Sequence, residues 1–196
     1  MYRNGSNGTF PLGVTVETHA VWDEEDLMST CSFTVTVTDA ESPVVTACPS
    51  DVALANTLNE CGRVVTYASV QATDNCDGAG SVITQVSGNV SGAFYPVGRT
   101  VQGFLVQDAA GNQATCVFNV DIADQQAPAL TCPSNIVVNT TGQCGQTVTF
   151  AAPTYSDNCP GSVLTQLTGP ASGSFYPVGV TSHSFRVVDA AGFVTT

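Results

Sequence analysis

Cysteines and carboxylates are the side chains of this sequence whose spacing could do chemistry. Eight cysteines recur in a fixed order. Cys48 in "TACPS", Cys61 in "NECGR" and Cys76 in "TDNCDG" are answered by Cys132 in "LTCPS", Cys144 in "GQCGQ" and Cys159 in "SDNCPG", with Cys48 and Cys132 84 positions apart. Cys31 and Cys116 share a fourth context, each eight residues after an aspartate, Asp23 or Asp108. Thiols at repeated spacings, in a chain that carries Asn-x-Ser/Thr sequons at Asn4, Asn7, Asn89 and Asn139, point to an oxidising compartment, to disulfides and to N-linked glycans. They do not point to a thiolate metal site, because no C-x-x-C pair or histidine cluster accompanies them.

The carboxylates gather beside turns. Asp39, Glu41, Asp74 and Asp108 should converge at one end of a repeat, and Asp124, Asp157 and Asp189 at the next junction. Such oxygen clusters suit calcium, which takes about six to eight oxygen ligands. The same residue types cap turns by accepting from nearby backbone amides, so both readings stand. Enzymatic chemistry lacks its parts. His19 and His183 fall at different positions of the repeat and build no recurring acid–base site. Tyr95 and Tyr176, in the two "FYPVG" segments, are either packing residues or a carbohydrate-contacting ridge. No catalytic residue is assigned.

The elements that must position these groups follow from the repeat. Pro96, Gly98, Asp108 and Cys116 keep the register of Pro11, Gly13, Asp23 and Cys31, and Pro177, Gly179 and Asp189 repeat it a third time. CP, CG, DNC, F-P-x-G-x-T, D-x-x-G-N and C-x-F-x-V in this order resemble the hyalin-repeat (HYR) domain family over nearly the whole chain. That resemblance implies an all-β fold of tandem immunoglobulin-like β-sandwiches, found in extracellular adhesive and surface proteins and usually without enzymatic activity. Composition agrees from a separate direction. Four arginines and no lysine against sixteen acidic residues give a net charge of −12, which repels phosphate backbones and excludes nucleic acid as a partner. No stretch approaches the roughly 18 apolar residues of a membrane-spanning helix. No cleavable leader precedes Met1, so the chain is expected to be a mature or excised piece of a secreted protein.

Period-two runs mark strands in "TVTFAAPT", in "TVQGFLVQD" ending at Asp108 and in "CVFNVDIAD" ending at Asp124. Asp108 to Asn112 reads as a hairpin turn; at the front Asp23-Glu-Glu-Asp26 takes that place without the glycine. Short proline-containing junctions at Pro43 and Pro128 divide the chain into a front piece (1–42), a complete repeat (43–125) and a repeat lacking its last strand (126–196), too closely joined for flexible linkers.

Cys31, Phe33, Val35 and Val37 would be the spare last strand. Donated to the back repeat of a second copy, they would build a head-to-tail filament by strand addition. The alternative is an adhesion module that binds a glycan or protein ligand through its loops. Four cysteines per repeat allow three connectivities. Placing the DNC loop and the start of the last strand at one end of the domain favours Cys76 with Cys116 and Cys48 with Cys61. It also favours Cys132 with Cys144, and an intersubunit bond from Cys31 to Cys159.

Overall fold

Alternating Val, Phe and Thr with glycine and proline punctuation gives strands, and among the residues described by the computed structural model, 8–76 and 80–196, every regular element is one. β1 (Gly13–Trp22) and β2 (Met28–Val37) form an antiparallel hairpin, with Gly13 opposite Val37 and Trp22 opposite Met28. β3 (Val44–Ala47), β4 (Val52–Ala55), β5 (Gly62–Val64), β6 (Gln71–Thr73), β7 (Val82–Ser87), β8 (Phe94–Pro96), β9 (Gly98–Gln107) and β10 (Gln113–Ala123) follow. They pair as β3 with β6, as β5 with β8, and as a sheet in the order β4-β10-β9-β7.

The next stretch repeats the scheme with β11 (Ala129–Thr131), β12 (Gly145–Val148), β13 (Thr154–Ser156), β14 (Val163–Thr168), β15 (Ser174–Pro177), β16 (Ser184–Val188) and β17 (Val194–Thr195). Here β11 pairs with β13, β12 with β15, and β14-β16-β17 form a sheet. The fold is all-β and tandem, as expected. One pairing has no second instance. β4 lies parallel to the far end of β10, Val52 beside Val120 and Ala55 beside Ala123, whereas the corresponding residues 136–139 carry no strand.

Contacts divide the chain into two compact units, residues 1–48, 69–86 and 103–116 in one and 49–68, 87–102 and 117–196 in the other. The first buries Val70, Val106 and Cys116; the second buries Val65, Tyr95, Phe118, Val120, Ile122 and Val187. The expected strand through Phe150 stops at Val148. Phe150 instead brackets a serine: its N–H donates to Ser172 Oγ at 2.8 Å and its carbonyl accepts from that hydroxyl at 2.9 Å. Tyr67 and Ser91 make the same pair of bonds at 2.9 and 3.0 Å. A side chain here satisfies the backbone where a strand would end, which alternation alone does not reveal.

Burial along β10 predicts a contrast between equivalent residues. Phe118 is 2% exposed and Phe33, at the same repeat position, is 51% exposed. Phe118→Ala should cost about 3–5 kcal/mol, and Phe33→Ala under about 1 kcal/mol in the monomeric chain, both measured by urea unfolding.

Candidate functional site

The aspartates of the three hairpins act on their own backbones. Asp23, Asp108 and Asp189 each donate an N–H to the carbonyl four residues on (Leu27, Asn112, Phe193), at 3.1 Å in all three. Each Oδ1 accepts the N–H of that same residue, at 2.9, 2.7 and 2.8 Å. The residue three after each aspartate is left-handed: Gly111 (φ 97°), Gly192 (φ 95°) and, in the front copy, Asp26 (φ 61°). An aspartate tolerates that conformation far better than most residues, so the missing glycine leaves the first turn unchanged. Burial pushes the Asp108 carboxyl up, but the hydrogen bonds from Asn112, Gly111 and Ala110 outweigh it and hold the group below its usual value. Asp51 is lowered by the Asn119 N–H and side chain, and Asp121 by the Arg99 guanidinium, which it meets at 2.8 and 3.0 Å.

The disulfides differ from the expected ones. Cys48 is bonded to Cys116, with Cα atoms 5.7 Å apart, and Cys61 to Cys159, at 4.8 Å. The expected pairs Cys76 with Cys116 and Cys48 with Cys61 are therefore replaced. The CG cysteine of one repeat is bonded instead to the DNC cysteine of the following one. Cys48, just after β3, takes Cys116. An intersubunit bond from Cys31 to Cys159 is excluded while Cys61 holds that sulfur. Cys31, Cys76, Cys132 and Cys144 are exposed thiols, so the expected Cys132–Cys144 pair is not formed.

Around the second bond the CG turn is fitted to the next repeat by polar contacts. Asn59 N–H donates to Gln126 Oε1 at 2.9 Å, and Gln126 Nε2 returns a bond to Asn59 Oδ1 at 3.2 Å. Asn158 Nδ2 donates to Glu60 O and to Asp124 Oδ1, each at 3.2 Å. Asn56 N–H bonds Ala123 O at 2.9 Å and its Oδ1 accepts from Gln125 N–H at 3.1 Å.

The carboxylates expected to converge on calcium divide into two kinds. Asp39 and Asp74 come together with Cys76, and Asp124 and Asp157 with Cys159, with donor atoms within 4.8 Å of one another in each group. Glu41 accepts instead from Asn75 Nδ2 at 2.7 Å, and Asp108 and Asp189 serve their hairpins. In the second group one sulfur is in a disulfide and the carboxylates already accept backbone or amide N–H groups; among the described residues Asp157 Oδ2 has no hydrogen-bond partner. Two carboxylates are few for an ion that takes about six to eight oxygens, and their geometry is that of turn capping.

The remaining candidates are placed plainly. Asn4 and Asn7 lie outside the described residues. Asn139 is exposed, while Asn89 is half-buried with its Nδ2 donating to Phe94 O at 3.0 Å. Tyr95 is fully buried, its hydroxyl bonded to Asn89 O, and burial raises its phenol; Tyr176 likewise bonds Pro170 O at 3.0 Å. These tyrosines are packing residues. His19 stacks on Phe33 at 5.7 Å. His183 touches Phe150, Tyr176 and Gln166, and occupies the place of the buried Gln102: a Cβ on Gly88 would meet Gln102 and one on Gly169 would meet His183. Sequence reasoning missed that equivalence; its signal is the glycine 14 residues before each.

On β2, the strand expected to be donated, Cys31 and Phe33 are exposed and Val35 and Val37 half-buried. In β10 the matching Cys116, Phe118, Val120 and Ile122 are all 3% exposed or less.

A strand-only tandem fold with cystine-linked ends defines an extracellular repeat protein of the adhesion type. The HYR domain model matches residues 38–122 and again 123–195, and the chain belongs to the HYR domain family. It is 34% identical over 168 residues to hyalin of Strongylocentrotus purpuratus (83% of this chain, 14% of that protein), and 30% identical over 190 residues to hyalin of Lytechinus variegatus (93% and 35%). It also resembles, at 31% over 113 residues, a rat sushi, von Willebrand factor type A, EGF and pentraxin domain-containing protein (58% and 3%). The chain thus spans about a seventh and about a third of the two hyalins. Among solved structures it is remotely similar to the protocadherin GammaB4 extracellular domain (19% identity, TM-score 0.36, 93% of this chain and 36% of that one). The human desmocollin-1 ectodomain is equally remote (12%, TM-score 0.31, 93% and 42%). No helix among the described residues is long and apolar enough to cross a membrane.

Three outcomes follow from this geometry. Non-reducing peptide mapping should recover Cys48 joined to Cys116 and Cys61 joined to Cys159. Because the folded carboxyls of Asp51, Asp108 and Asp121 lie below their ordinary value of 3.8, their stabilisation is complete above that value. It is lost as pH falls through the lowered ones. Urea midpoints should hold from neutral pH to about pH 5 and drop below about pH 4, with a shallower drop in Asp121→Asn. Thermal unfolding should be the same in chelator and in millimolar calcium; a higher melting temperature with calcium would make the acidic groups cation sites.

Proposed function

We propose that this chain is a non-enzymatic structural subunit of an extracellular adhesive assembly, joined head to tail by strand completion. The observation that carries this reading is the unequal fate of one strand. In the whole repeat β10 is flanked by β4 and β9 and buries four alternate side chains. In the following repeat the segment equivalent to β4 forms no strand and leaves Ile136, Val137 and Val138 at 50%, 88% and 49% exposure. The front hairpin carries the β10 pattern on β2, with Phe33 51% exposed. An apolar strip and an unpaired strand on one molecule are complementary to each other on two.

The register follows from the whole repeat, with Val35 beside Ile136 and Val37 beside Val138, as Val120 lies beside Val52 and Ile122 beside Leu54. Such a contact is heterologous, so it does not close on itself and grows into a filament. It also corrects the covalent partner: Cys31 takes the place of Cys116 and so faces Cys132, which takes the place of Cys48.

Val35→Asp would put an unpaired charge into the partner's core at a cost of several kcal/mol. The wild type should form filaments in electron micrographs and this variant should stay monomeric, with an unchanged circular dichroism spectrum. Filaments of equal length from both, or a wild type that is monomeric at every concentration, would overturn strand completion.

A further inference from the structure

Cys61 and Cys159 belong to different repeats, and each side of their junction exists once more in the chain without the other. The giving side is the CG turn, where Asn59 is left-handed (φ 64°) and Cys61 O accepts Val97 N–H at 3.2 Å. In the second repeat Gly142 is left-handed (φ 81°) and Cys144 O accepts Val178 N–H at 3.0 Å. The receiving side has Asp124 Oδ1 accepting Gln126 N–H at 3.1 Å and Asp157 Oδ1 accepting Cys159 N–H at 2.9 Å. One repeat earlier, Asp39 Oδ1 accepts Glu41 N–H at 3.1 Å and Asp74 Oδ1 accepts Cys76 N–H at 2.9 Å. In each of the triads Asp124, Asp157, Cys159 and Asp39, Asp74, Cys76 the donor atoms lie within 4.8 Å of one another. Cys76 and Cys144 are exposed thiols.

We propose that the CG turn of one HYR repeat is the ligand of the DNC loop of the next, and that the receiving site at Cys76 takes the turn bearing Cys144 from a second copy of this chain. The charges fit that partner. Within the chain the turn carries Glu60 and the receiving segment Gln126, while the new junction sets Gln143 against Glu41, so each brings one carboxylate rather than two. Gly142 N–H stands where Asn59 N–H meets Gln126, and would donate to the Glu41 carboxylate. The inference rests on the assembly reading, because β2 leads directly into Asp39 and must first complete the repeat that carries Cys144. Joining the two thiols forms one S–S bond; two electrons and two protons pass to oxidised glutathione, which leaves as two molecules of reduced glutathione.

The test uses two forms of the chain, both carrying Cys31→Ser and Cys132→Ser, one with Cys76→Ser added and the other with Cys144→Ser. Each should keep the Cys61–Cys159 bond in peptide maps, which shows that it folds. Mixed in a glutathione redox buffer they should give a covalent dimer of the 20.1 kDa chain containing a Cys76–Cys144 peptide, and neither form alone should give one. A mixture that sediments as an oligomer but runs as monomer on a non-reducing gel would overturn the staple while leaving strand completion standing. A mixture monomeric by both measures would overturn both, and a covalent dimer from either form alone would show that the thiols pair without the loop's guidance.

Discussion

Four alternate side chains of one strand, Cys116, Phe118, Val120 and Ile122, are almost wholly withdrawn from water. The first is bonded to Cys48, and the backbone between β4 and β9 is paired on both sides. A strand placed so has no tolerance for slippage, because a shift of one residue would turn every apolar side chain to the opposite face. The remaining strands of the repeat are short, three to six residues for β3 to β8, and pairs of that length are marginal unless an apolar face is covered. β10 covers it. The disulfide adds to this by linking residues 68 apart in sequence, which on a chain-entropy view removes about 4 kcal/mol of disorder from the unfolded state.

The same dependence explains what is loose elsewhere. β1 and β2 have the alternation and turn of β9 and β10, and pair over ten residues each, yet Phe33 and Val16 stay more than half exposed. The pattern is adequate for a hairpin but not for a core, since a two-stranded ribbon has only one layer. In the second repeat the Tyr176 hydroxyl meets His183 Nε2 at 3.3 Å and Val187 of β16 is fully buried, while residues 133–141 form no strand. Local sequence thus sets the hairpins, and burial of the last strand decides which of them become a sandwich.

Much of this was legible in the residues themselves. The repeat, the strand-only class, the hairpin at Asp108 and the alternation of the last strand could all be read from spacing and residue type, because each depends on neighbours in sequence. The cysteine pairing could not, and the reason is specific. Spacing relates Cys48, Cys61, Cys76 and Cys116 within one repeat, whereas Cys61 is bonded to Cys159 of the next. In a tandem array the far end of one repeat is the near end of the next, and a bond spanning 98 residues has no local signature. The clue was present in the polar residues around it: Asn59 and Gln126 bond each other across the junction, and Asn158 donates across it to Glu60 O. The buried Gln102 and its replacement by His183 were equally opaque, since a polar residue in a strand reads as outward-facing.

The two disulfides differ in what they constrain. Cys48–Cys116 closes a loop within a repeat and holds its last strand in place. Cys61–Cys159 closes one that crosses the short junction at Pro128, so the two repeats it joins cannot be drawn apart farther than the linkage allows even if the strands between them unpair. A closed loop of that length is worth about 4–5 kcal/mol on the entropic account. In the adhesive array proposed above, load would pass from repeat to repeat, and covalent closure at the junction would let a repeat that loses its packing reform before its neighbours are lost. The acidic surface fits such use. With four arginines against sixteen carboxylates, separate chains repel at long range, and that repulsion is screened beyond about 8–10 Å at physiological salt. The proposed association would then depend on contacts as specific as a completed strand and a fitted turn rather than on attraction between surfaces.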